Sequence, residues 1–225
     1  MNTIRELTLL AVAIRSILSI VLGGLIGLER GMKNRPAGFR TYMLVCLGAC
    51  IVMMTNQYTC QVFLTGDPTR MAAQVISGIG FLGAGTIIVT RRSQIKGLTT
   101  AAGLWASAAM GVAIGIGFYE GALLGALLIY IILSLLHELD NRLRKRSRLI
   151  EAYIELKENI PLGCFIRYMR TNHIETSNLQ LESELVQGSS AVSFIVTFKC
   201  KGKQTHEEIM HMVTMMDGLA YIEEL

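Results

Sequence analysis

The side chains able to do chemistry in this chain stand in or beside long apolar runs, where each needs a partner, water or an ion to be tolerated. They are Arg15, Glu29, Arg40, Asp67, Arg70, Gln74 and Thr99. Arg15 lies too far inside its run to reach an interface easily, which favours a side chain facing other helices or an aqueous cavity over one that snorkels. Asp67, Arg70, Gln74 and Ser77 recur at helical spacing and share one face, a polar stripe suited to a partner helix or water. Asp67-Pro68 is also how a helix starts, with Asp as cap and Pro in the first turn. Glu29, beside Arg30 and within a short loop of Arg40, reads either as a surface ion pair of small worth or as a structured gate. Zinc-protease, nucleophile-elbow and P-loop patterns are missing from the sequence, so no enzyme is expected. Ser77 to Gly85 contains G-x-G-x-x-G, yet no strand precedes it, and it sits inside an apolar run.

That glycine run is better read as packing. Gly78, Gly80, Gly83 and Gly85 allow close approach of helix backbones. A second reading has successive glycines break the helix and present carbonyls as ligands. Thr99 and Thr100 can cap the following helix or bond to a neighbour, and Trp105, deep in its run, is expected to be packed. Cys46 and Cys50 share a helix face as small core residues. The five cysteines are unclustered, which indicates neither a disulfide framework nor a zinc site.

The elements that position these residues follow from composition. Of 225 residues 52% are hydrophobic and 17% charged. A soluble domain carries roughly a quarter charged residues, so an ordinary cytosolic enzyme is disfavoured. The apolar excess lies in residues 1–137 and predicts an all-α bundle of about five transmembrane helices: Leu7–Leu28, Thr41–Thr55, Met71–Thr90, Thr99–Gly117 and Tyr119–Leu136. The second is short unless it continues through Asn56, Gln57 and Tyr58. Basic residues cluster in alternate links: Arg30, Lys33, Arg35 and Arg40; Arg91, Arg92 and Lys96; and the tail after the fifth span. The positive-inside rule then places the N-terminus outside and the C-terminus in the cytoplasm. Residues 138–148 form a basic linker in which Arg142, Arg144, Lys145, Arg146 and Arg148 contact anionic lipid. Nucleic acid is not an expected partner. Residues 149–225 alternate between strand and helix patterns in the order βαββαβ, a small α+β ferredoxin-like cytoplasmic domain. Glycine-lined spans and an open sheet edge make a homo-oligomer, most simply a homodimer, the expected state.

Three stretches resemble the MgtC/SapB family in order. They are Gly23-Gly24-Leu25-Ile26-Gly27-Leu28-Glu29-Arg30 with Arg35-Pro36-Ala37-Gly38-Phe39-Arg40-Thr41; Asp67-Pro68-Thr69-Arg70 through Gly85; and Gly97 through Ala109. The resemblance implies a multi-pass protein of the bacterial inner membrane with an ACT-like tail, in which Glu29, Arg40, Asp67, Arg70, Gln74 and Thr99 hold the polar positions. It implies a link to magnesium homeostasis and virulence, exerted on another membrane complex such as the F-type ATP synthase. No cofactor follows, although Mg²⁺ is a candidate ligand or substrate. The competing expectation is a magnesium or other ion transporter or channel through the glycine-rich bundle. The shortage of acids within the spans favours the regulatory reading, since Mg²⁺ prefers carboxylates with retained water.

Overall fold

A computed structural model describes residues 6–64, 66–90, 94–145, 147, 149–158, 160–182, 192–199 and 206–224, with side chains left aside at 137–145 and 182. The chain divides into two units, Met1–Leu139 and Asp140–Leu225.

In the first unit, α1 (Leu9–Met32) opens on Thr8, whose hydroxyl accepts from the Ala11 amide at 3.2 Å. That cap satisfies one of the amides a helix start leaves without a partner. Helix α2 (Phe39–Phe63) follows a loop that holds Pro36. α3 (Arg70–Ala84) leads into a two-stranded hairpin, β1 (Ile88–Val89) against β2 (Ile95–Lys96), and then α4 (Leu98–Gly115) and α5 (Tyr119–Lys145). Gly97 joins the hairpin to α4 with φ +99°, and any Cβ there would strike the Thr86 carbonyl, so only glycine fits.

Four helices are long and apolar enough to cross a membrane among the described residues: α1, α2, α4 and Tyr119–Leu136 of α5. The third of the five expected spans is not among these four. α3 has 15 residues, about 22 Å at 1.5 Å each, against about 30 Å of hydrocarbon. It stops because the chain then runs through the β-branched Ile87-Ile88-Val89, which pairs as a hairpin. The second segment is longer than its apolar core suggested, with 25 residues. It continues because Asn56 and Gln57 find partners: Asn56 Nδ2 donates to the Pro68 carbonyl, and Gln57 Oε1 accepts from Arg15.

α2 is the centre of the unit and presents Tyr42, Cys46 and Cys50, all at 0% exposure. α1 packs on it through Gly23 and Gly27, where an added Cβ would lie 2.9 Å from Cys46 Cβ and 2.8 Å from Phe39 Cα. α4 packs through Gly103, Gly111 and Gly115, each directly against α2 atoms. Small residues at these points let backbones approach closely enough for dispersion contacts to hold helices together without a hydrophobic drive. Of the four glycines expected to pack, one meets another helix of this chain among the described residues. A Cβ at Gly78 or Gly80 meets nothing within 4 Å, Gly85 touches only its own turn, and only Gly83 abuts another helix, 3.4 Å from Ala101 Cβ. Trp105 is 49% exposed, not packed, because α4 turns its glycine and serine face to α2 and the indole points away.

The second unit has the order β3 (Leu149–Leu156), α6 (Leu162–Thr171), β4 (Glu175–Glu182), β5 (Ser193–Lys199), α7 (His206–Thr214), β6 (Leu219–Glu224). Its sheet runs β4-β5-β3-β6 with every neighbour antiparallel. Alternation puts Ile150, Ala152, Ile154 and Leu156 of β3 on the face that packs with Phe165 and Met169 of α6 and Ile209 and Val213 of α7. Phe165 meets Phe194 edge to face at 4.9 Å. The expected turn at Gly188-Ser189-Ser190 and the capping residue Thr205 lie outside the described residues.

Candidate functional site

The bundle holds two buried polar layers, each built on an arginine of α1. Arg15 sits in the second turn at 0% exposure. Its Nη1 donates to Gln57 Oε1 of α2 at 2.7 Å and to the Gly115 carbonyl at the end of α4, also at 2.7 Å. Its Nε donates to the Tyr119 hydroxyl at the start of α5 at 3.1 Å. One guanidinium therefore ties α1, α2, α4 and α5. The Gly115 carbonyl is among the last of its helix, which carry partial negative charge and have no partner within the helix, so a cation is well placed there.

The second layer lies about 22 Å along α1, fifteen residues on at 1.5 Å each. Arg30 is 3% exposed and donates through Nη2 to Thr100 Oγ1 of α4 at 3.2 Å. The Tyr42 hydroxyl lies beside it, in the notch left by Gly103. Arg30 Nε and the Tyr42 hydroxyl have no hydrogen-bond partner among the described residues. Glu29 turns the other way. Its side chain is 10% exposed, Oε1 meets the Lys33 ammonium at 2.5 Å as an ion pair, and Oε2 has no hydrogen-bond partner among the described residues. Orphaned polar atoms of this kind are costly away from water.

Of the residues singled out in the sequence, Arg15 and Glu29 occupy these layers. Arg40, Asp67, Arg70, Gln74 and Thr99 are exposed in this chain and do not join them. Thr99 lies next to the residue that matters: Thr100 is 2% exposed and holds Arg30. Asp67 does not cap α3. Its Oδ1 accepts from the Thr69 hydroxyl at 2.6 Å and the Thr69 amide at 2.8 Å, closing a turn ahead of the helix. Those two hydrogen bonds hold the Asp67 carboxyl below its ordinary value of 3.8. Arg142, Arg144 and Lys145 fall in the last turns of α5, while Arg91, Arg92, Arg146 and Arg148 lie outside the described residues.

Sequence reasoning named Thr100 as able to bond to a neighbouring helix, as it does to Arg30, but gave no site role to Arg30, Tyr42, Gln57 or Tyr119. A signal was present for some of them. Ala11, Ser19, Gly23 and Gly27 repeat every four residues around Arg15, as do Gly103, Ser107, Gly111 and Gly115 in α4. Such stripes mark the faces that meet, and so the neighbours of any polar residue on them.

Residues 17–142 match the MgtC family, more than half of the chain. The chain belongs to the MgtC family. Among curated relatives, the Escherichia coli (strain K12) protein named "Putative magnesium transporter YhiD" is 41% identical over 139 residues, 60% of this chain and 64% of that protein. Protein MgtC of Salmonella typhimurium (strain LT2) is 40% identical over 127 residues, 56% of this chain and 53% of its own length. Protein SapB of Bacillus subtilis is 38% identical over 110 residues, 47% of each. The chain thus spans less than two thirds of each of these relatives. No solved structure matches. The MgtC stretch takes in the Arg30 layer, begins two residues after Arg15, and ends before β3, the first strand of the second unit. Family membership and four apolar helices together make this a multi-pass membrane protein.

Proposed function

We propose that this MgtC-family protein is a magnesium-linked regulator of the bacterial inner membrane, acting by docking on another membrane complex rather than by conducting the ion or catalysing a reaction. The magnesium link rests on the family and on the name carried by the YhiD relative. The observation that carries the regulatory reading is the pair of arginines buried in the bundle, at 0% and 3% exposure. A buried guanidinium spent on neighbouring helices places fixed positive charge where a divalent cation would have to pass. At the other layer Glu29 is outweighed by Arg30 and Lys33. A bundle so charged suits holding helices in register better than passing Mg²⁺.

The partner is an assembly of membrane helices, for which the F-type ATP synthase is the family-level candidate. The orientation is N-terminus outside and sheet unit in the cytoplasm, on the basic links. The βαββαβ order and the strand order β4-β5-β3-β6 support a ferredoxin-like, ACT-like unit that binds an effector or pairs two copies along an open edge. The test reconstitutes the full chain into liposomes loaded with a magnesium-sensitive dye, alongside crosslinking and mass spectrometry in native membranes. The expected result is no protein-dependent Mg²⁺ flux, together with a reproducible crosslink to a membrane complex. Protein-dependent flux that is lost in Asp67→Ala would replace this reading with that of a transporter.

A further inference from the structure

An apolar groove of about 740 Å³ runs between α1 and α5, and nothing in the account above uses it. Its length is lined by Leu22 and Leu25 of α1 and by Leu123 and Leu127 of α5. Leu25, Leu123 and Leu127 are each at least 50% exposed, so the groove opens sideways, toward hydrocarbon in a membrane. One end is polar. Glu29 and Lys33 line it, three residues before and one residue after the last residue of α1. The Glu29 side chain is nine-tenths buried, and its Oε2 is without a hydrogen-bond partner among the described residues. A half-satisfied carboxylate at the mouth of an apolar slot is costly unless something completes it.

We propose that this groove binds a glycerophospholipid whose headgroup ends in a primary ammonium. The occupant is fixed by charge complementarity. A primary ammonium donates to Glu29 Oε2, the adjoining phosphate accepts from Lys33, and an acyl chain lies along the leucines. The volume falls within the roughly 300–1,000 Å³ of pockets that enclose a small amphiphile. An anionic headgroup without an amine meets Glu29 as a like charge. A choline headgroup brings positive charge but no N–H to give. The groove is independent of what the bundle regulates, and its test does not depend on that partner.

The test is native mass spectrometry of the delipidated full chain in mild detergent, offered equal amounts of phosphatidylethanolamine, phosphatidylglycerol and phosphatidylcholine. The wild type is expected to retain the ethanolamine lipid about tenfold over the other two, the scale of one charge-assisted hydrogen bond. Glu29→Gln is expected to reduce that preference to within about twofold. Leu127→Trp, at an exposed position where folding is not at stake, is expected to block the groove and remove the bound lipid. Equal retention of the three lipids by the wild type overturns the proposal. So does an ethanolamine preference that survives both substitutions, or a species with the mass of two chains that Leu127→Trp abolishes, which would give the groove to a second copy.

Discussion

Gly27→Ala is the sharpest test of how the bundle is held. At this position a Cβ would lie 2.8 Å from Phe39 Cα, 2.9 Å from Tyr42 Cβ and 3.0 Å from the Phe39 carbonyl oxygen, all on α2 near the helix axis. These are backbone atoms or atoms fixed to it, so no rotamer change relieves the overlap. Ordinary contact begins at 3.4 Å, and 3.4 less 2.8 leaves at least 0.6 Å by which α1 and α2 must part. Overpacking of this sort costs about 1–3 kcal/mol, and at roughly 2–4 °C per kcal/mol for a chain of this size the melting midpoint falls by about 2–12 °C. Gly78→Ala is the control, since its Cβ meets nothing within 4 Å. Within a helix, alanine for glycine gains up to about 1 kcal/mol, so this variant melts at or slightly above the wild type. The assay is thermal exposure of thiols to a maleimide dye in detergent. Cys46 and Cys50 are fully buried and report unfolding, in a background where Cys60, Cys164 and Cys200 are serine. Equal losses in both variants would refute the assignment of the interface to Gly27 and restore the packing role expected of Gly78.

Two further outcomes follow. Arg15→Lys keeps the charge but replaces a planar fork by one ammonium, so it cannot reach Gln57, Gly115 and Tyr119 in their present geometry. A loss of about 2–3 kcal/mol is expected, read as earlier dye labelling of Cys50, and labelling identical to wild type would dismiss the tie between helices. Asp67 has its carboxyl pKa lowered on folding, so the turn it makes with Thr69 is intact above 3.8 and loosens as pH falls through the lower folded value. The protection factor of the Thr69 amide, the exchange rate of an unstructured peptide relative to its own at the same pH, should fall as pH drops through the lowered Asp67 value in the wild type and be near one throughout in Asp67→Ala. Protection unaffected by acid would contradict this.

The division of labour between sequence and fold is clearest at α2 and α3. Apolar run length placed the starts of α1, α4 and α5 within two residues, because a helix in hydrocarbon must satisfy its own backbone and declares itself by continuous hydrophobicity, but it ended α1 four residues and α5 nine residues early. The same rule ended the second segment too early, at Thr55, since it counts Asn56 and Gln57 as breaks, and their partners Pro68 and Arg15 are on other elements. It ran the third segment too far, because the Ile87-Ile88-Val89 run is as apolar as a helix end yet β-branched enough to pair as a hairpin. The polar site was half legible. Arg15 stood out as a charge inside an apolar run. Arg30 looked like one more basic residue of a link, and only the approach of α4 shows that Thr100 buries it.

What the sequence determined by itself is the partition: an apolar front that lives in lipid, a basic junction, and an alternating back half with the order of a four-stranded sheet and its two helices. These are local properties, written in periods of two and of about four residues. Which polar groups meet was decided by the tertiary structure alone. Arg15 and Tyr119 are 104 residues apart in the chain, Arg30 and Thr100 are 70, and no period connects them. Their pairing follows from glycines that let three helices close on one another, because a buried donor must take whatever acceptor that closure brings within reach.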